Sequence, residues 1–120
     1  LVEAELDRLA SHMRAMRGRL LDRLQRGDLG TRGKGGEALL TVNGPDKEEE
    51  LRLPNTLSVS IRGLDASKVL TKLSEKVAAS AGAACHSVEH GGKGELSAVL
   101  QAMGVEEEAG LGTIRLSVGR

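Results

Sequence analysis

The chain of 120 residues lacks phenylalanine, tyrosine and tryptophan altogether, and it has a single cysteine, Cys85. Without aromatic rings it offers no flat surface on which a nucleic-acid base, a sugar or a quaternary amine could stack. Its core must therefore be built from Leu, Val, Ile, Ala and Met. One cysteine excludes a disulfide within the chain, which argues against a disulfide-stapled secreted fold and favours a reducing compartment.

Net charge is absent as well, because 17 Lys and Arg residues balance 17 Asp and Glu residues. The balance argues against a nucleic-acid or membrane partner, and no apolar run approaches the ~20 residues that span a bilayer. The length suits one domain. The start at Leu1 and the end at Arg120, directly after a strand-like run, suggest a piece of a longer protein. The cytoplasm is its expected compartment, with mitochondria and plastids as alternatives.

Apolar periodicity divides the chain into helices and strands. Leucines and methionines, Leu6 among them, recur at spacings of three and four over 1–26 and predict an amphipathic helix, with Arg17 and the other arginines on a solvated face. Asp65 is suited to cap a second helix, and Gly104 to end a third. The predicted elements are helices at 1–26, 65–76 and 96–103 and strands at 37–42, 56–62, within 77–84 and at 113–118. This order predicts an α+β fold, a small, mainly antiparallel sheet with helices packed on one face, in a single domain over 1–120.

Three local features carry candidate chemistry. Cys85 ends a run of small residues and opens a glycine-rich loop. Arg115 lies in the strand-like run TIRLSV, on the opposite face from Ile114 and Leu116. The Leu-Pro-Asn-Thr sequence at 53–56 is a rigid entry into the middle strand. Each feature alone is ordinary, since a lone cysteine is most often a small buried residue and a strand arginine is usually a surface cation.

In combination these segments resemble the C-terminal part of the class V aminotransferase-fold cysteine desulfurases and selenocysteine lyases. The resemblance is carried, in chain order, by LPNTLSVSIRG at 53–63, AASAGAACHS at 78–87, SAVLQAMGV at 97–105 and GTIRLSVGR at 112–120. Residues 1–52 fit more loosely. The Gly-Ala-Ala-Cys-His-Ser form at 82–87 favours the selenocysteine lyases within this group.

The resemblance implies the small domain of a pyridoxal-phosphate enzyme that removes sulfur or selenium from cysteine or selenocysteine and leaves alanine. Cys85 matches the family cysteine whose thiolate takes up the sulfur as a persulfide on a mobile loop, here 86–95. Arg115 matches the arginine that grips the substrate carboxylate with two parallel hydrogen bonds. The expected partners are a small amino-acid substrate, a sulfur or selenium acceptor protein and, for the full-length enzyme, a second copy of itself.

The departures from the family pattern bear on what this chain can do alone. In the family the cofactor lysine follows a Ser-x-His motif that has no counterpart here, and the other cofactor-binding groups lie upstream. The chain alone is therefore predicted to be inactive. No metal site is predicted either, because Cys85, His86 and His90 lack the usual zinc-ligand spacing and a fourth ligand. Two alternatives stay open: the small domain of another class V aminotransferase or related hydrolase, and a stand-alone thiol carrier or acceptor-binding module without catalysis.

Overall fold

The computed structural model describes residues 1–27, 35–45, 49–81 and 96–120. The described elements are α1 (Val2–Arg26), β1 (Leu40–Val42), a 3-10 helix (Glu49–Leu51), β2 (Thr56–Ile61), α2 (Ala66–Leu73), β3 (Ser80–Ala81), α3 (Ala98–Ala102), α4 (Glu107–Gly110) and β4 (Thr113–Ser117). No helix in this part of the chain combines the length and the hydropathy of a membrane span.

The strands form one antiparallel sheet in the order β1-β2-β4-β3. Its centre is the pair β2 and β4, whose register runs from Thr56 opposite Ser117 to Ser60 opposite Thr113. The short strands β1 and β3 pair with the outer edges of these two. The predicted α+β fold with a small antiparallel sheet and helices is confirmed.

Alternation along β2 and β4 gives the sheet one apolar face. Leu57 and Val59 are 1% and 2% exposed, and Ile61 and Ile114 are buried beside them. Because the side chains of a strand alternate between faces, these residues all lie on one side of the sheet. Helix α1 lies over this side, where its Leu21 lines a shallow cleft with Val42 and Leu57. The core is aliphatic, as the composition requires.

Helix α1 differs from its prediction at two positions. Arg17, expected on a solvated face, is 5% exposed. Its guanidinium donates to the carbonyl oxygen of Leu53 at 2.6 Å and to the carboxylate of Glu49. The spacing explains the burial, since Arg17 lies four residues after Met13 and therefore on the same face of the helix. Leu6, expected on the buried stripe, is 59% exposed.

Helix α2 begins where the sequence predicts. The carboxylate of Asp65 accepts hydrogen bonds from the backbone N–H groups of Ser67 and Lys68, at 3.1 and 3.3 Å. These are donors that the first helical turn cannot satisfy internally. A side-chain cap thus fixes the start of a helix of only eight residues.

Replacement of Asp65 tests whether its side chain stabilises the start of α2. Asp65→Ala is expected to lower the free energy of unfolding by about 1 kcal/mol, because two N–H groups lose their acceptor. Asp65→Asn is the matched control, since an asparagine oxygen caps almost as well. It removes only the charge that faces the Lys68 ammonium at 3.7 Å, an exposed pair of small energetic value. Urea unfolding of both variants checks the prediction, and equal losses would assign the effect to charge instead of capping.

The segment from α3 to β4 contains a turn that favours glycine and a close approach that excludes any side chain. Gly104 follows α3 with φ +74°, the left-handed conformation that ends many helices. At Gly112, a Cβ atom would lie 1.9 Å from the carbonyl oxygen of Ile61. Helix α4 between them was not predicted. Its four residues are too short to show an apolar period.

Candidate functional site

Arg115 lies in the middle of β4 with an exposed side chain, on the face of the sheet opposite the apolar core. Its registered neighbours are Ser58 on β2 and Ser80 on β3, so a serine flanks it on each side. Within the described ranges its guanidinium makes no ion pair and no side-chain hydrogen bond. Arg17 and Arg62, in contrast, both bind glutamates. Arg115 is thus exposed and unpaired within the described ranges, and its role as a substrate-binding arginine stays a prediction.

The surroundings of Arg115 form a surface of hydroxyl groups that we call the hydroxyl face. Register and alternation put on this face Thr41, Thr56, Ser58, Ser60, Ser80, Thr113, Arg115 and Ser117. Arg115 is the one charged residue in this set. A cation among neutral hydroxyl groups is suited to bind a small anion, because the hydroxyls donate hydrogen bonds without adding a competing negative charge.

A hydrogen-bond network organises one part of the hydroxyl face. The amide Nδ2 of Asn43, just after β1, donates to the hydroxyl oxygens of Ser58 at 3.2 Å and Ser60 at 2.8 Å. The hydroxyls of Ser60 and Thr113 lie 2.6 Å apart, and both residues are 1% exposed. Sequence reasoning did not find this network, since it depends on how β1, β2 and β4 align.

The Leu-Pro-Asn-Thr entry is held from two sides. The Leu53 carbonyl accepts the hydrogen bond from Arg17 of α1. The Asn55 carbonyl accepts one from the backbone N–H of Val118 at 2.9 Å, which extends the pairing of β2 with β4 beyond the strand ends. This motif therefore fixes the start of β2, and with it the register that puts Ser58 opposite Arg115.

Arg62, immediately after β2, binds α4 to the sheet. Its guanidinium donates to Glu108 at 2.9 Å and to Glu106. The hydrogen bonds that the guanidinium donates to these carboxylates, that to Glu106 foremost, raise the pKa of Arg62 above its ordinary value. Beside this link lies an open groove of about 640 Å³, lined by residues of β1, β2 and the segment 103–109. Nothing in the sequence pattern marked these long-range pairs.

Cys85, the predicted nucleophile, lies outside the described residues, as do His86, His90 and the glycine-rich loop at 86–95. The last described residue before Cys85 is Ala81 of β3, which pairs with Ile114 next to Arg115. The structure therefore describes the arginine of the predicted pair, and the strand that precedes the cysteine.

Comparison with known proteins shows which proteins this chain resembles in sequence and fold. No family model matches the sequence. The cysteine desulfurase IscS of Vibrio campbellii is 37% identical over 109 residues, which cover 91% of this chain and 22% of that protein. A solved NifS-like protein superposes with a TM-score of 0.65 at 29% identity, over 97% of this chain and 24% of its own. This chain matches one segment of a cysteine desulfurase. The resemblance predicted from its motifs is confirmed.

A second solved relative agrees on the fold. The NifS-like protein from Rickettsia africae superposes with a TM-score of 0.65 over 97% of this chain and 25% of its own, at 21% identity. The desulfurase-related chain thus spans about a quarter of the length of the relatives that it matches.

Within the described ranges, the residues of this desulfurase-related chain do not form a pyridoxal-phosphate site. A lysine must bind the cofactor aldehyde, and a ring or other flat group usually supports the pyridine. The described lysines, Lys68, Lys72 and Lys76, are all exposed on or just after α2. The chain has no aromatic residue. The hydroxyl face therefore has neither the lysine nor the flat group that the cofactor requires.

Proposed function

We propose that this chain is the C-terminal small domain of a pyridoxal-phosphate-dependent lyase that removes sulfur or selenium from cysteine or selenocysteine. The observation that carries the proposal is the exposed guanidinium of Arg115, which has no acidic partner in the described part of the chain. A guanidinium without an acidic partner is free to grip a substrate carboxylate with two parallel hydrogen bonds.

A short stretch of chain separates Cys85 from β3, the strand that pairs with Arg115. Arg115 pairs with Ser80, and Ala81 follows it in β3. Cys85 comes four residues after Ala81, and four extended residues cover at most about 14 Å. This length of chain would allow the thiol to reach a substrate whose carboxylate Arg115 holds.

In this proposal the chain supplies the residue that binds the substrate and the residue that accepts its sulfur atom. Arg115 grips the α-carboxylate with two parallel hydrogen bonds and so fixes the orientation of the amino acid. The Cys85 thiolate accepts the sulfur atom as a persulfide, and alanine leaves. The chemistry that weakens the carbon–sulfur bond belongs to a cofactor-binding part outside this chain. The Gly-Ala-Ala-Cys-His-Ser sequence at 82–87 resembles the selenocysteine lyases more than the desulfurases, and the proposal includes both substrates. We further propose an acceptor protein for the persulfide and a homodimeric full-length enzyme.

The proposal is tested by comparing this chain alone with a longer protein that contains it and a cofactor-binding domain. The chain alone is expected to form no aldimine absorbance band that survives dialysis with pyridoxal phosphate, and to release no alanine. The longer protein is expected to release alanine from both substrates. With cysteine, mass spectrometry should find one added sulfur atom on the peptide that contains Cys85.

The alternatives give different results in the same experiment. A dialysis-resistant aldimine band in the chain alone would refute the assignment as a domain without the cofactor site. Alanine release without sulfur on Cys85 would indicate another class V enzyme of this fold. Sulfur uptake by the chain from a persulfide donor, with no alanine release by the longer protein, would indicate a thiol carrier.

A further inference from the structure

Ser58 and Asn43 lie next to the proposed carboxylate site and have no part in the function as described so far. Ser58 is directly opposite Arg115 in the register of β2 and β4. Side chains of residues opposite each other across an antiparallel pair lie on the same face, with Cβ atoms about 5 Å apart. A carboxylate held by Arg115 would therefore lie within reach of the Ser58 hydroxyl.

Asn43 determines how that hydroxyl is oriented. Its Nδ2 donates to the Ser58 oxygen at 3.2 Å, so this oxygen already acts as an acceptor. The Ser58 proton is therefore left for an acceptor other than Asn43, and within the described part of the chain no acceptor receives it. The second Asn43 bond, to Ser60 at 2.8 Å, connects the amide to the buried Ser60–Thr113 pair and fixes it. The network thus orients the Ser58 hydroxyl, whose proton has no acceptor among the described residues, beside the unpaired guanidinium of Arg115.

A carboxylate can use both groups at once. The planar guanidinium fills one lone pair on each carboxylate oxygen and leaves the second lone pair of each oxygen open. A hydroxyl beside the guanidinium is suited to fill one of these.

We infer that Ser58 is a further substrate-binding residue, which donates a hydrogen bond to the carboxylate held by Arg115, and that Asn43 is its positioning residue. This inference rests on the proposed role of Arg115. It adds that the receptor is already formed in this chain and contains a neutral donor fixed in place before the substrate arrives.

The test uses the 120-residue chain itself and acetate, which carries the carboxylate alone. Amide and guanidinium resonances are followed by NMR during titration with sodium acetate, against sodium chloride at the same ionic strength. Acetate is expected to shift the Arg115 and Ser58 signals along a saturable curve that chloride does not reproduce. Ser58→Ala is expected to raise the Kd about 3- to 10-fold, the loss of one ordinary hydrogen bond at a solvent-exposed site.

Two further variants make the test specific. Asn43→Ala keeps the Ser58 hydroxyl but removes its orientation, and a rise in Kd of about 2- to 3-fold is expected while the fold is retained. Ser117→Ala is the matched control, because Ser117 lies on the same face but opposite Thr56. Its Kd should equal that of the unchanged chain. If Ser58→Ala does not fold, the Kd of Asn43→Ala tests the role of the Ser58 hydroxyl in its place.

The outcomes separate this inference from the proposed function. Saturable binding at Arg115 with the same Kd in Ser58→Ala and Asn43→Ala would overturn the role of Ser58 and leave that of Arg115 intact. No saturable shift at Arg115 in the unchanged chain would overturn the preformed receptor. The part that Arg115 plays in the longer enzyme is then decided by kinetics, independently of this titration.

Discussion

Arg115→Lys is expected to lower kcat/KM for L-cysteine about 30- to 1000-fold in the enzyme that contains this chain, although the charge is kept. An ammonium group is a point charge and cannot reproduce the two parallel hydrogen bonds of a guanidinium. The loss corresponds to roughly 2–4 kcal/mol, the range found when one partner of a close charge pair is removed. Steady-state alanine release measures it.

The stability of the fold should stay unchanged while the activity falls. The Arg115 side chain is exposed and makes no ion pair within the described ranges, so thermal unfolding of Arg115→Lys is expected at the temperature of the unchanged protein. Arg19→Lys on the exposed face of α1 is the matched control and should change neither property. If Arg115→Lys kept full activity, or unfolded the domain, Arg115 would be a structural residue and the carboxylate assignment would be wrong.

The face on which Arg115 lies could be predicted because alternation is a property of a single strand. In β4 the buried Ile114 and the exposed Arg115 follow from the period of two. The same reasoning gave the apolar side of β2. The cap at Asp65 and the end of α3 near Gly104 depend only on local chemistry, and both were predicted correctly.

Features that depend on two distant segments could not be predicted in this way. The order β1-β2-β4-β3 decides that Ser58 and Ser80 flank Arg115, and no pattern within one strand contains that order. The link from Arg62 to Glu106 and Glu108 spans more than 40 residues for the same reason.

The burial of Arg17 could have been found. Its charge suggested a solvated position. Its spacing of four residues from Met13, however, puts it on the face of the helix that is buried. Its guanidinium is satisfied by the Leu53 carbonyl and Glu49, both from a segment that the sequence could not bring to α1. A buried charge is tolerated only where such partners compensate it.

Leu57→Ala is expected to cause the largest loss of stability of any single change considered for this chain, about 2–5 kcal/mol in the free energy of unfolding. Leu57 is 1% exposed, pairs with Leu116 across the centre of the sheet, and lies under α1 beside Leu21. Without aromatic residues, the core has no larger side chain that could fill the space left by the missing methyl groups.

Urea unfolding provides the measurement. Since the slope in urea is about 1–3 kcal/mol per M, a loss of about 2–5 kcal/mol should lower the midpoint of Leu57→Ala by roughly 0.7–5 M at an unchanged slope. Leu51→Ala is the matched control, because Leu51 is 68% exposed and its replacement should change stability by less than about 0.5 kcal/mol. Equal midpoints for the two variants would mean that Leu57 is not at the centre of the core. That result would also weaken the register of β2 with β4, on which the position of Ser58 beside Arg115 depends.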